Sequence, residues 1–131
     1  MGDFQKLKVW QRAKELAVFV YQTTGGGLFE KNYGLRDHMR KTVISIPSNI
    51  AEGDELGTNR QSVRHFRIAK GSTAELLSQA IIAYEIHYLA DVQFNYVKEE
   101  CRAISSMLSK LIRVREKNYE RKLRGQALPL S

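Results

Sequence analysis

Two long stretches in the second half of the chain place their core-type residues alternately three and four positions apart. One runs Phe66, Ala69, Thr73, Leu76, Ala80, Ala83, His87; the other runs Val97, Cys101, Ile104, Leu108, Leu111, Arg115. That alternation is the seam of a helix packed against other helices, and it excludes strands, whose inward positions recur every second residue. It predicts helices over about residues 59–89 and 92–123, each roughly 45 Å long at 1.5 Å per residue. Thr58-Asn59-Arg60-Gln61 reads as a capping box opening the first of them. Earlier, Val9, Ala13, Leu16, Ala17 and Val20, with Trp10 beside them, mark a helix over 8–23 that Thr24-Gly25-Gly26-Gly27 ends. A loop over 25–33 then leads to a helix over about 34–54, with Leu35, Met39, Thr42, Val43, Ile46 and Ile50 on one face. The chain reads as all-α: an antiparallel up-and-down four-helix bundle over 1–124 with a flexible tail over 125–131.

Ser45-Ile46-Pro47-Ser48-Asn49-Ile50-Ala51-Glu52-Gly53 breaks the rules of the helix that contains it. Proline inside a helix removes one hydrogen bond and crowds the preceding turn, at about 3 kcal/mol. The segment is therefore expected to be a helix kinked at Pro47, or two short helices meeting at Ser45–Pro47, with Ser45, Ser48 and Asn49 able to supply hydrogen bonds to the disturbed backbone. Gly71-Ser72 is a second irregularity, because glycine inside a helix costs about 1 kcal/mol against alanine. Close approach of the second helix, with Pro47 as the bulky neighbour, is the reading that the sequence suggests for Gly71.

The formal net charge is +7, and its placement matters more than its sum. Arg60, Arg64, Arg67 and Lys70 open the third helix, and the first three stand four and three residues apart, on one face. Arg36 and Arg40 form a similar pair on the second helix. Lys110, Arg113, Lys117, Arg121, Lys122 and Arg124 crowd the end of the fourth. Such stripes suit phosphate contacts, which position a polyanion without reading its sequence. RNA or DNA is thus the expected partner, and these twelve residues are the expected contacts. No base-stacking signature accompanies them. Solvation of helix surfaces, without any polyanion, is the alternative.

Catalytic and metal chemistry finds little support. Asn49, Glu52 and Glu75 are polar, but no Glu-x-x-His pair joins them and no Cys/His cluster has metal-ligand spacing. They are expected to bond disturbed backbone or to pair with Arg36 or Arg40. Gly25-Gly26-Gly27 lacks the Lys-Ser/Thr of a phosphate-binding loop. Arg60 and His65 do fit the Arg-x4-His spacing of HEPN-type ribonucleases, in which histidine would act as base and arginine would steady the phosphorane. The motif is permissive, and the chain reads as non-enzymatic, without metal or cofactor. A single cysteine, Cys101, cannot form an internal disulfide, and no run approaches the ~20 apolar residues of a membrane span. A cytoplasmic protein follows. A short first helix leaves part of the two long ones uncovered, with Ile81, Ile82, Ile86 and Phe94 exposed if they face outward, so self-association is expected.

Phe4, Leu7-Lys8-Val9-Trp10-Gln11, Ala13, Tyr33-Gly34-Leu35, Ser45 to Gly53, and Ala69-Lys70-Gly71-Ser72 with Glu75 occur in that order. The series resembles the 23S rRNA intervening-sequence proteins, with the accessory variability protein of diversity-generating retroelements as a more distant relative. The resemblance covers about residues 4–120. It implies a four-helix bundle assembled as a homopentamer, and it allows a reverse transcriptase or another nucleoprotein as partner.

Overall fold

A computed structural model describes residues 3–56 and 58–125. The expected tail from Gln126 onward lies outside these residues. Four helices account for the fold: α1 (Lys8–Thr23), α2 (Tyr33–Glu55), α3 (Asn59–Glu85) and α4 (Asp91–Leu123). Side-chain pairs fix their order. Arg12 meets Glu100 and Phe19 meets Tyr96, so α1 and α4 run antiparallel. Ser45 meets Ser72 and Asn49 meets His65, so α2 and α3 do too. Arg67 meets Glu116 near one end of the α3–α4 pair, while Tyr84 stacks on Phe94 near the other. This is the up-and-down bundle read from the sequence.

The expected seams form the core, with one drift. Phe66, Ala69, Leu76, Ala80 and Ala83 of α3 are buried with Val97, Cys101, Ile104 and Leu108 of α4. At the end of α4 the buried position is Ile112, and Leu111 is only half-buried. A helix of 3.6 residues per turn slips out of a strict heptad over this length. Phe29, also buried, closes the α1–α2 connection from a short 3-10 helix, Gly27–Lys31, that the sequence reading leaves as loop.

The helix ends show where local signals act and where they mislead. α3 stops at Glu85, before the expected residue 89. His87 adopts φ 67°, Tyr88 N–H donates to the Ala83 carbonyl at 2.8 Å, and His87 N–H donates to the Tyr84 carbonyl at 3.0 Å. This is a Schellman stop built on histidine, without the glycine that would have announced it. At the other end of α3, the Thr58 hydroxyl accepts from Gln61 N–H at 3.2 Å and donates to Gln61 Oε1 at 3.1 Å. The Gln61 side chain is therefore turned to the hydroxyl, and the reciprocal half of the expected capping box is missing. α2 is one helix through Pro47. Near its end, Asp54 carries an acid where the helix dipole disfavours one, and Arg115 of α4 stands 3.6 Å from its Oδ1.

Candidate nucleic-acid interface

α3 separates two different grooves. Its seam with α2 is closed. A Cβ added to Gly53 would stand 2.6 Å from a Phe66 ring carbon and 3.2 Å from the Ser62 carbonyl, so only glycine permits this approach. Ser62 donates its hydroxyl to the Gly53 carbonyl at 2.6 Å, one of the four at a helix end that lack an intrahelical donor. Further along, the Ser45 and Ser72 hydroxyls lie 2.8 Å apart, and Gln79 Nε2 donates to the Thr42 hydroxyl at 3.0 Å. Asn49 Nδ2 donates to the Ser45 carbonyl at 2.9 Å, one turn away across Pro47.

The seam with α4 is open. Beyond its own stretch of helix backbone and its chain neighbours, Gly71 has no heavy atom within 4 Å of the place its Cβ would occupy. This corrects the sequence reading: Ser72 touches α2, while Gly71 faces outward and holds nothing close. It floors a trough of about 540 Å³ with Ala74, Ser105 and Ser109, rimmed by Arg67, Lys70 and Arg113. A neighbouring hollow of about 370 Å³ shares Ala74, Ser105 and Ser109 and adds Arg102, Ser106 and Cys101. The trough exists because both helices carry small residues where larger ones would interlock. Four cationic side chains border the two hollows, with hydroxyls between them. Arg67 forms an ion pair with Glu116 at 2.7 Å, and both groups are exposed, so the pair is worth at most about 1 kcal/mol and can open to an anion.

The expected contact residues divide. Arg60, Arg64, Arg67 and Lys70 are all exposed along the first three turns of α3 and lead into the trough. Arg113 is across from them, and Lys117 and Arg124 follow on the same side of α4 by helical spacing. Lys110 turns toward α1, beside Leu7 and Lys8. Lys122 and Arg124 are exposed and Arg121 is half-buried, in the last turns of α4. Arg36 and Arg40 stand apart, near the opposite end of the bundle. Arg36 pairs with neighbouring Asp37 at 3.1 Å and covers the Tyr33 ring. Arg40 donates to the Thr24 hydroxyl at 2.9 Å and the Tyr21 carbonyl at 3.0 Å, closing the end of α1. Neither arginine pairs with Glu52 or Glu75. Glu52 instead lies 3.3 Å from His65, and Glu75 is 3.4 Å from the Thr42 hydroxyl. Sequence reasoning missed Arg102, Ser105 and Ser109; the Ser105–Ser109 spacing was its available signal.

Arg60 and His65 are five residues apart on one helix, hence about 140° apart around its axis, so they do not converge on one phosphate. Burial, chiefly, with Glu100 nearby, pushes the Cys101 thiol up to about 12, so it supplies no thiolate at neutral pH. Among the described residues no group of three or more His, Cys, Asp or Glu could hold a metal, and no helix is long and apolar enough to cross a membrane.

The four-helix bundle gives the fold class, and comparison with known families gives the chain a place. The family described as 23S rRNA-intervening sequence protein matches residues 5–110, and this chain belongs to it. A crystal structure of a protein of unknown function from the S23 ribosomal protein family of Bacteroides thetaiotaomicron superposes with a TM-score of 0.73 at 18% identity. The superposition covers 79% of this chain and 97% of that one, which establishes the shared fold. No curated protein matches. Arg113 to Arg124 lie beyond the residues the family match covers.

Proposed function

We propose that this protein is a non-enzymatic, self-associating bundle that binds nucleic acid in the cytoplasm through the outer face of α3 and the α3–α4 trough. One observation carries the reading: Arg67, Lys70 and Arg113, from two helices, rim a single trough whose floor is Gly71, Ala74 and serine hydroxyls. Arg60 and Arg64 extend the row along α3. No aromatic ring lines the trough, so the contacts suit phosphate and sugar rather than stacked bases.

Phosphate contacts release counterions, so affinity is expected to fall steeply with salt and to depend weakly on sequence. Fluorescence anisotropy with labelled RNA and DNA at several salt concentrations tests this. Replacing Arg60, Arg64 and Arg67 together with glutamine is expected to lower both affinity and salt slope while leaving the helical signal intact. Binding unchanged by these substitutions and by Arg113→Gln would place the polyanion elsewhere. Cleavage of the RNA would overturn the non-enzymatic reading.

A second surface supports the self-association. Phe4, Trp10, Val18, Tyr21, Ile44 and Pro47 line an apolar trough of about 730 Å³ between α1 and α2. Ile81 and Ile82 of α3 and Ile86 just after it are exposed, as expected, whereas Phe94 is half-buried against Tyr84. Exposed apolar surface of this kind marks protein contacts, and the pentamer expected from the family is the assembly proposed. Sedimentation should show a single species several times the 15.0 kDa chain mass; a monomer at micromolar concentration would contradict it. If the assembled protein binds no nucleic acid at low salt, these apolar surfaces make a protein-interaction scaffold the better reading. A nucleoprotein partner such as a reverse transcriptase would then be sought by them.

A further inference from the structure

The His65 ring is held in one orientation and one tautomer. Its Nδ1 lies 2.9 Å from Asn49 Oδ1 and 3.3 Å from Glu52 Oε2. The orientation of the Asn49 amide follows from its other end: its nitrogen is 2.9 Å from the Ser45 carbonyl, which can only accept. The amide oxygen therefore faces the histidine. Both atoms around Nδ1 are acceptors, so Nδ1 carries the hydrogen. A neutral imidazole has one N–H, which leaves the lone pair on Nε2. No group among the described residues hydrogen-bonds Nε2, and the side chain keeps 23% of its surface exposed. In its neutral form the ring is a fixed hydrogen-bond acceptor at the surface.

Glu52 is the charged group nearest the ring. The exposed charges before His65 on α3 are cationic but point elsewhere, Arg64 about 100° and Arg60 about 140° away around the helix axis, so a strand reaches them and His65 only by crossing α3 over several nucleotides. Arg64 adjoins His65 in sequence and Arg60 lies one turn before that, both exposed. Neither has an ion-pair partner among the described residues. A backbone held by these arginines brings phosphate oxygens, which only accept. A deoxyribose backbone has no donor to offer Nε2. A ribose backbone has one in every nucleotide, the 2′-hydroxyl. Amino groups on bases are donors as well, but they differ from base to base and do not suit a surface that follows the backbone.

We propose that Asn49, Glu52 and His65 form an RNA-selective subsite, in which His65 Nε2 accepts a hydrogen bond from a ribose 2′-hydroxyl of a strand held by Arg60 and Arg64. The proposal rests on the nucleic-acid reading above and adds the choice between RNA and DNA. It involves no bond cleavage.

The test uses three uracil homopolymers of equal length in the assembled wild-type protein: ribose, deoxyribose and 2′-O-methyl ribose. Methylation removes the donor and retains the oxygen. The ribose strand is expected to bind about three- to tenfold more tightly than either of the others, the effect of one hydrogen bond. His65→Phe, which removes both ring nitrogens, is expected to bring the ribose strand to the deoxyribose level and leave deoxyribose binding unchanged. Equal binding of all three strands to the wild type would overturn the subsite and leave the polyanion reading standing. Absence of all binding would overturn both. A preference that survives in folded His65→Phe would also overturn the subsite. Long-range proton–nitrogen correlation spectra of the neutral ring, which need no variant, are expected to show hydrogen on Nδ1; hydrogen on Nε2 would overturn the proposal directly.

Discussion

The two seams of α3 use similar residues to opposite ends. Against α2, Gly53, Ser45, Ser62 and Ser72 bring the helices together, and each hydroxyl or missing side chain meets a partner atom across the seam. Against α4, Gly71, Ala74, Ser105 and Ser109 leave space, and the chain rims that space with cations. A small residue in a helix is thus ambiguous until its direction is known. Where it faces a backbone it closes a gap, and where it faces outward between two helices it opens one. Only the second arrangement leaves hydroxyls and charge available to a ligand.

Substitutions can break this contrast. The largest effect is expected from Gly53→Ala, whose added carbon would stand 2.6 Å from the Phe66 ring. Forced overpacking of this kind costs about 1–3 kcal/mol, readable as a lower melting temperature; an unchanged melt would mean that the seam is loose. Ser62→Ala leaves the buried Gly53 carbonyl without its side-chain donor. A loss of about 1–2 kcal/mol in urea unfolding is expected.

Cys101 tests how far the trough opens. Its thiol borders the second hollow but is 2% exposed. Burial raises it from 9.0 to about 12. The folded chain therefore keeps a proton that the unfolded chain releases, so this group's contribution to stability is complete below pH 9 and falls as pH rises toward 12. A loss of roughly 1 kcal/mol by pH 10 is expected, and it should be absent in Cys101→Ala. Slow reaction with a thiol reagent at pH 8 is the companion expectation; rapid reaction would mean that the floor is breached. The smallest effect runs the other way. Gly71→Ala adds a methyl group to open space and removes a poor helix former, so a gain of about 0.5–1 kcal/mol is expected.

Most of the bundle is legible in the sequence because periodicity records which residues face inward. Helix identities, the apolar seams and the single apolar face that runs from Leu35 past Pro47 to Ile50 all follow from it. The end of α3 does not, because His87 takes the left-handed position that glycine usually marks. Phe29 is hidden for a related reason: a buried residue on a short 3-10 turn has no period to display. The site was half legible. The arginine row of α3 follows from spacing along one helix. The meeting of Lys70 with Arg113, and the separation of Arg36 and Arg40 from both, depend on how helices pack against one another. Gly71 was misread because spacing gives a residue's angle on its own helix but not what stands opposite.

Gly71→Leu tests the central claim most directly when stability and nucleic-acid affinity are measured on the same assembled protein. The side chain would enter the trough between Arg67, Lys70 and Arg113 without meeting the α2–α3 seam. The expected result is a melting temperature equal to or above the parent's, together with weaker RNA binding at low salt. A lower melting temperature with undiminished binding would contradict the account, since it would make Gly71 a packing contact and the trough a surface that no polyanion uses.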